Sequence, residues 1–304
     1  MYPEAAPNTV SVIIPTTCEL KRASYIERAI QSVLSQTGVD IELIVVVNGN
    51  RYDDGIFTTL QSDHRIKVIK RAEGNVSKAR YFGLAAARGA FYCFLDDDDE
   101  FLPGAMKTRA DFLVKHPDAD VVVTNGYINT PDDAPLVRES AEQINKDPAL
   151  AFLRSNWFAS PASMFRASTV DLSLLDIEYK FFEWTYLFFL LLSNGKSIKF
   201  DPSMTYRVTV DNPLSASKSK EYLLSHATFL GSLQSLNLNS HVKRALIPKY
   251  QAALNGAANL HLKDGMMKAA WAAHLKCLMS GGWRYLPYTR RLIFPTFFRP
   301  AVRI

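Results

Sequence analysis

Short apolar runs set off by stretches of helical periodicity decide what this 304-residue chain can become. Residues 10–14 and 91–95 read as short buried strands, and 41–47 is a nearly unbroken β-branched run suited to a central parallel strand. Between them, residues 22–36 place Ile26, Ile30, Val33 and Leu34 on one helical face. A strand at 66–69, an alanine-rich helix at 77–88, a helix at 103–116 and a strand at 120–124 continue the alternation. Strands separated by helices predict βαβ units with right-handed crossovers: an α/β fold with a mostly parallel sheet flanked by helices.

After Asn125 the rhythm changes. Residues 129–135 are turn-rich, 141–154 read as one helix, 161–165 as a strand, and 183–193 as a very apolar helix ended by Asn194-Gly195. Strands are expected at 198–200 and 204–210, and mostly helix over 218–279. From residue 284 the chain is proline-broken and basic. The organisation expected is one domain over 1–217 and a helical extension over 218–304.

The run at 91–95 ends in four aspartates, Asp96, Asp97, Asp98 and Asp99. Adjacent carboxylates repel, so water, basic neighbours or a divalent cation must compensate them. Hard cations such as Mg²⁺ or Mn²⁺ favour carboxylate oxygen and share their shell with substrate phosphates. A solvated acidic loop capping the helix near Pro103 is the plainer reading. The carboxyl end of a strand in an open α/β sheet is where ligands bind, which favours a metal–phosphate site. Ser77, Lys78 and Arg80 surround a helix start, where free N–H groups and positive charge suit a diphosphate. Lys78 reads equally well as an exposed helix lysine.

Hydrophobic content of 48% and charged content of 21% are those of a globular protein. No apolar run reaches the ~20 residues that span a bilayer, and residues 1–9 lack a signal-peptide pattern. Cys18, Cys93 and Cys277 are too widely spaced to suggest a disulfide framework or metal-ligand pair. A cytoplasmic protein is expected, with no nucleic-acid partner. After Asp264 there is no acidic residue, while Arg284, Arg290 and Arg291 are interleaved with Trp283, Tyr285 and Tyr288. That tail either sits on an anionic membrane surface or packs on the body with its arginines in water.

Several ordered blocks together resemble the family 2 inverting glycosyltransferases of GT-A fold. They are Ser11-Val12-Ile13-Ile14-Pro15-Thr16, Glu42-Leu43-Ile44-Val45-Val46-Val47-Asn48-Gly49, Asn75-Val76-Ser77-Lys78-Ala79-Arg80, and Ala90-Phe91-Tyr92-Cys93-Phe94-Leu95 with its aspartates. The resemblance is strong from Val10 to about Asn125 and weaker to Ser217. It implies a nucleotide-sugar half to about residue 125, an acceptor half over 126–217, and sugar transfer from a nucleotide-diphosphate donor to an acceptor hydroxyl. Pro15, Thr16, Glu19, Asn48, Lys78, Arg80, Asp96, Asp97 and Arg207 are thereby placed at the nucleotide, Asp98 on a divalent cation (Mg²⁺ or Mn²⁺), and Glu183 as catalytic base. Asp99 would orient the loop or cap the next helix. A UDP-sugar donor and a glycan or lipid-linked glycan acceptor are implied.

The sequence departs from the family pattern at three places. Val47-Asn48 stands where many members carry two acids, only Glu183 remains of a Glu-Asp pair, and Val208-Thr209 follows Tyr206-Arg207 where a histidine is common. These departures leave open a non-catalytic sugar-nucleotide-binding scaffold. A sugar nucleotidyltransferase would carry a glycine-rich loop after the first strand, and Pro15-Thr16-Thr17-Cys18-Glu19 has no glycine.

Overall fold

The computed structural model describes residues 6–128, 134–177, 179, 181–209 and 219–297. The chain divides into two compact units, Met1–Asn212 and Pro213–Ile304.

The first unit is built on one eight-stranded sheet. Its strands are β1 (Ala6–Thr16), β2 (Asp40–Asn48), β3 (Ile66–Arg71), β4 (Gly89–Phe94), β5 (Glu100–Phe101), β6 (Val121–Ile128), β7 (Ser163–Arg166) and β8 (Ile198–Val208). They lie in the order β3-β2-β1-β4-β7-β6-β8-β5. Pairings β3–β2, β2–β1, β1–β4 and β6–β8 are parallel, and β7 and β5 run antiparallel to their neighbours. The expected mostly parallel α/β sheet is what the chain forms. In β2, Leu43 to Val47 are all buried, as an unbroken apolar strand requires when both faces are covered.

Helices α1 (Ala23–Leu34), α2 (Asp54–Ser62), α3 (Val76–Ala85) and α4 (Ala105–Lys115) connect the first six strands. A Cβ on Gly83 would lie 2.3 Å from Ile13 Cγ2, so only glycine lets α3 sit this close to β1. That close approach also sets the height of Arg80, one turn earlier in α3. Because β1, β2 and β4 are parallel, their carboxyl ends bring Thr16, Asn48 and the loop from Asp96 to one edge of the sheet.

The structure corrects several boundaries. The expected helix at 141–154 is two, α5 (Ala141–Lys146) and α6 (Pro148–Arg154), because Pro148 opens a new helix and Asp147 caps it by accepting from Leu150 N–H. Strands expected at 198–200 and 204–210 form the single β8. Register shifts against β6 near Asp201 and Met204 absorb Pro202, which has no partner in the two-residue β5. Helix α2 leaves no periodic signal in the sequence, because it buries only Leu60. Within the turn-rich stretch 129–135, Pro135 bridges Tyr127, while residues 129–133 lie outside the described residues, as does Val210.

Helix α7 (Glu183–Ser193) packs an aromatic core. Phe188 stacks on Phe152 at 4.2 Å between ring centres, and Trp157 meets Phe188 edge-on at 5.4 Å. The second unit comprises α8 (Lys220–Ser232), α9 (Ser240–Lys263), α10 (Met267–Met279), a 3-10 segment (Trp283–Thr289) and α11 (Arg290–Phe297). Ala227, Leu254 and Cys277 form its buried centre, with Tyr250 and Tyr285 packed against them.

Candidate active site

A cavity of about 380 Å³ opens where β1, β2 and β4 end. Pro15, Thr16, Glu19, Asn48, Arg80, Asp96, Asp97 and Asp98 line it, so eight of the residues expected there converge. Lys78 and Arg207 are not among its lining residues. The Lys78 ammonium lies 3.0 Å from Glu73, and Arg207 donates to Glu100 at 3.0 Å, bracing β5 just past the acidic run.

Asp96, Asp97 and Asp98 are compensated mainly by arginines. Arg22 grips Asp97 through two nitrogens and reaches Asp98 Oδ2 at 3.1 Å. Thr16 Oγ1 donates to Asp97 at 2.5 Å and accepts the Cys18 N–H. Burial raises the Asp97 carboxyl, and the hydrogen bonds from Arg22 and Thr16 oppose that rise. Arg80 donates to Asp96 at 2.7 Å, and Arg28 donates to the Asp98 carbonyl at 2.9 Å. Sequence reasoning missed Arg22 and Arg28, which enter from the start of α1 and from its interior. The demand for cations was visible in the aspartate run. Their source was not, since partners 70 and 75 residues apart meet only in the folded chain.

Asn48 donates its side-chain amide to the Thr16 carbonyl at 3.0 Å, tying the ends of β1 and β2 together. Glu19 is held between Lys21 at 2.9 Å and Arg51 at 3.4 Å, and the Lys21 hydrogen bond lowers its carboxyl. Lys21 and Arg51 also line the cavity. Four cations and four carboxylates thus share one wall-to-wall pocket, a charge balance suited to a ligand carrying its own phosphates and counter-ion.

Asp99 does not cap α4, whose N-cap is Gly104 without a side-chain bond. Instead its Oδ1 accepts the Thr209 N–H at 3.1 Å. Burial first, and then the charge of Asp96, push its carboxyl up to about 8. A raised folded-state value means that the group's stabilising contribution is complete below the ordinary ~3.9. That contribution is lost as pH rises through about 8. Asp99→Asn keeps the acceptor oxygen and has no proton to lose. Its melting temperature should match the parent near pH 4 and exceed it at pH 8, the gap widening between. A gap that stays constant with pH would remove Asp99 from the buried titrating groups.

A second, smaller cavity of about 20 Å³ adjoins Arg80 and is lined also by Ser77, Leu175, Ile177, Glu183, Trp184 and Leu187. Glu183 begins α7. Its Oε1 lies 3.5 Å from Arg80, while its buried Oε2 has no hydrogen-bond partner among the described residues. Burial raises its carboxyl; Arg80 opposes the rise and Asp96 adds to it. The indole N–H of Trp184 is likewise buried and unpartnered, and Arg80 lies 5.3 Å from its ring centre. Buried orphan acceptors and donors are costly, so a polar group that fills this space gains two ready partners.

A divalent cation is implied by the sequence resemblance. Among the described residues, no three His, Cys, Asp or Glu side chains converge on a point. Asp97 is buried and held by Arg22 and Thr16, while Asp96 and Asp98, each reached by one arginine, keep side chains 38% and 31% exposed. Mg²⁺ commonly takes one or two carboxylates and completes its shell with phosphate and water oxygens. The donor set fits that pattern.

The chain forms an open, mostly parallel α/β sheet with a carboxylate- and arginine-lined cavity at its strand ends, the arrangement of a GT-A fold. The family model described as Glycosyl transferase family 2 matches residues 11–167, just over half of the chain, and the chain belongs to that family. It is 35% identical over 125 residues to the uncharacterized glycosyltransferase EpsJ of Bacillus subtilis, a match spanning 40% of this chain and 35% of EpsJ. It is 39% identical over 108 residues to a Campylobacter jejuni GalNAc(5)-diNAcBac-PP-undecaprenol beta-1,3-glucosyltransferase, spanning 33% and 32% of the two chains. Among solved structures, S. aureus TarS 1-349 in complex with UDP-GlcNAc superposes with a TM-score of 0.58 at 17% identity, covering 89% of this chain and 79% of that one. At that identity the likeness shows the fold.

Proposed function

We propose that the protein transfers one sugar from a UDP-sugar to the hydroxyl of a growing glycan, with inversion at the anomeric carbon. The observation that carries this reading is Glu183 Oε2, a buried acceptor without a partner, in a cavity that shares Arg80 with the nucleotide pocket. An acceptor hydroxyl entering the smaller cavity would donate its proton to Oε2 as its oxygen attacks the anomeric carbon. The bond from that carbon to the diphosphate oxygen breaks on the opposite face. Charge then develops on the departing diphosphate, within reach of a guanidinium already fixed between two carboxylates. Trp184 would orient the acceptor through its free N–H or its ring face.

Asp98, with Asp96, would hold Mg²⁺ or Mn²⁺, which when bound offsets negative charge on the diphosphate. A UDP donor is supported by the complex of the similarly folded TarS. A lipid-linked glycan acceptor is supported by the name of the Campylobacter jejuni relative. No helix among the described residues is long and apolar enough to cross a membrane. The three cysteines are buried and unpaired, which suits a reducing, cytoplasmic setting.

The test is a thermal-shift titration of UDP with and without Mn²⁺ on the parent and on Asp98→Ala. A ligand that binds only the native state raises its melting temperature. The parent should respond to UDP more strongly with Mn²⁺ present, and the variant should lose that increment while keeping its ligand-free melting temperature. An undiminished Mn²⁺ increment in Asp98→Ala would take the cation away from this residue.

A further inference from the structure

The unit spanning Pro213–Ile304 carries a charge distribution that sugar transfer does not use. From Tyr222 to Ile304 the sequence holds eleven lysines and arginines against one acid, Asp264. Lys220 is ion-paired with that acid. Lys276, Arg284 and Arg290 are exposed within one stretch, and Arg284 is anchored by donating to the Pro248 carbonyl at 3.1 Å.

The same stretch exposes large apolar side chains. Met279 is 87% exposed and Trp283 66%, and Leu275, Leu286 and Tyr288 are about half exposed. Leu275 and Met279 are four residues apart in α10 and share a face. Trp283 and Leu286 are three apart in a 3-10 segment, where such side chains eclipse one another.

This surface is built rather than loose. Gly282 N–H donates to the Cys277 carbonyl at 3.0 Å, and His274 bonds Thr289 at 2.8 Å. Tyr285 packs on the core and Leu292 is fully buried, so the segment has an inner side as well as an outer one. Large apolar side chains exposed this densely along one stretch are poorly solvated by water.

We propose that this face docks on the surface of an anionic lipid bilayer. Met279, Trp283 and Leu286 would enter the headgroup region while Lys276, Arg284 and Arg290 meet lipid phosphates. The mixture of groups selects the occupant. A nucleic acid would engage the cations and leave Met279 and Trp283 in water. A second copy of the same face would bring cations against cations. A bilayer satisfies both sets at once, and tryptophan and tyrosine prefer that boundary. The inference extends the proposed use of lipid-linked acceptors, but vesicle binding needs neither donor nor acceptor. Its failure is therefore distinct from a failure of the catalytic reading.

The full chain should co-sediment with vesicles of phosphatidylcholine containing one-third phosphatidylglycerol, and not with phosphatidylcholine alone. Added salt should weaken the binding. Arg284→Gln with Arg290→Gln, and separately Met279→Ala with Trp283→Ala, should each lower affinity for the mixed vesicles at least tenfold. Unchanged melting temperature and UDP response would show that both variants remain folded. Equal pelleting of parent and variants, or no pelleting of the parent, overturns the proposal. So does self-association that the Met279/Trp283 variant abolishes.

Discussion

Glu183→Gln is expected to cut turnover by roughly 10²–10⁴, the range usual for loss of a general base. UDP binding should stay nearly unchanged. Glutamine keeps the shape of the side chain and can still accept a hydrogen bond, but it cannot take the proton of the attacking hydroxyl. A parallel fall in kcat and kcat/KM would mark an interaction made only in the transition state. The pH dependence adds an independent check. Burial raises the Glu183 carboxyl, and a protonated carboxyl cannot act as base. The parent's kcat/KM should therefore climb with pH through a value above the ordinary glutamate ~4.3. The same shift bears on stability. A raised folded-state value supports the fold below the ordinary glutamate range and loses that support as pH rises through it. Glu183→Gln should accordingly be inactive yet at least as heat-stable as the parent at neutral and alkaline pH. Near-normal turnover would hand the base role to another acid, with Asp211, outside the described residues, next in line.

Much of the first unit was legible because its signals are local. Val45, Val46 and Val47 could only be a buried strand, and the aspartates had to emerge where the Phe94 strand ended. Family blocks then located Thr16, Arg80 and Asp98 along one sheet edge. What escaped depends on tertiary geometry. Arg22 and Arg28 lie in and just before an ordinary amphipathic helix, and nothing in their neighbourhood announces that α1 faces the acidic loop. Lys78 has the right address at a helix start, but Glu73, five residues earlier, takes its charge. Some misses had a readable cue. Asp147-Pro148 is a cap followed by a first-turn proline, and Asp53 accepts the Ile56 N–H to start α2.

Arg80→Gln should impair both donor binding and proton transfer, because one guanidinium serves two carboxylates. Its side chain is only 9% exposed and lies between Asp96 at 2.7 Å and Glu183 at 3.5 Å. Removing it leaves those acids without their shared cation, and a buried acceptor left unpaired costs about 1–3 kcal/mol. A fall in melting temperature is therefore expected. Donor affinity should drop as well, since a diphosphate entering the cavity would meet Asp96 unneutralised. The third consequence discriminates most. Arg80 opposes the rise of the Glu183 carboxyl, so its loss should move the acid limb of kcat/KM to still higher pH. Lysine at this position would restore charge but not the planar fork that spans two partners. Arg80→Lys should thus recover stability better than activity. If Arg80→Gln bound UDP like the parent and kept the parent's acid limb, the guanidinium would be a structural brace on Asp96 and Trp184. The link it makes between the two cavities would then carry no chemistry.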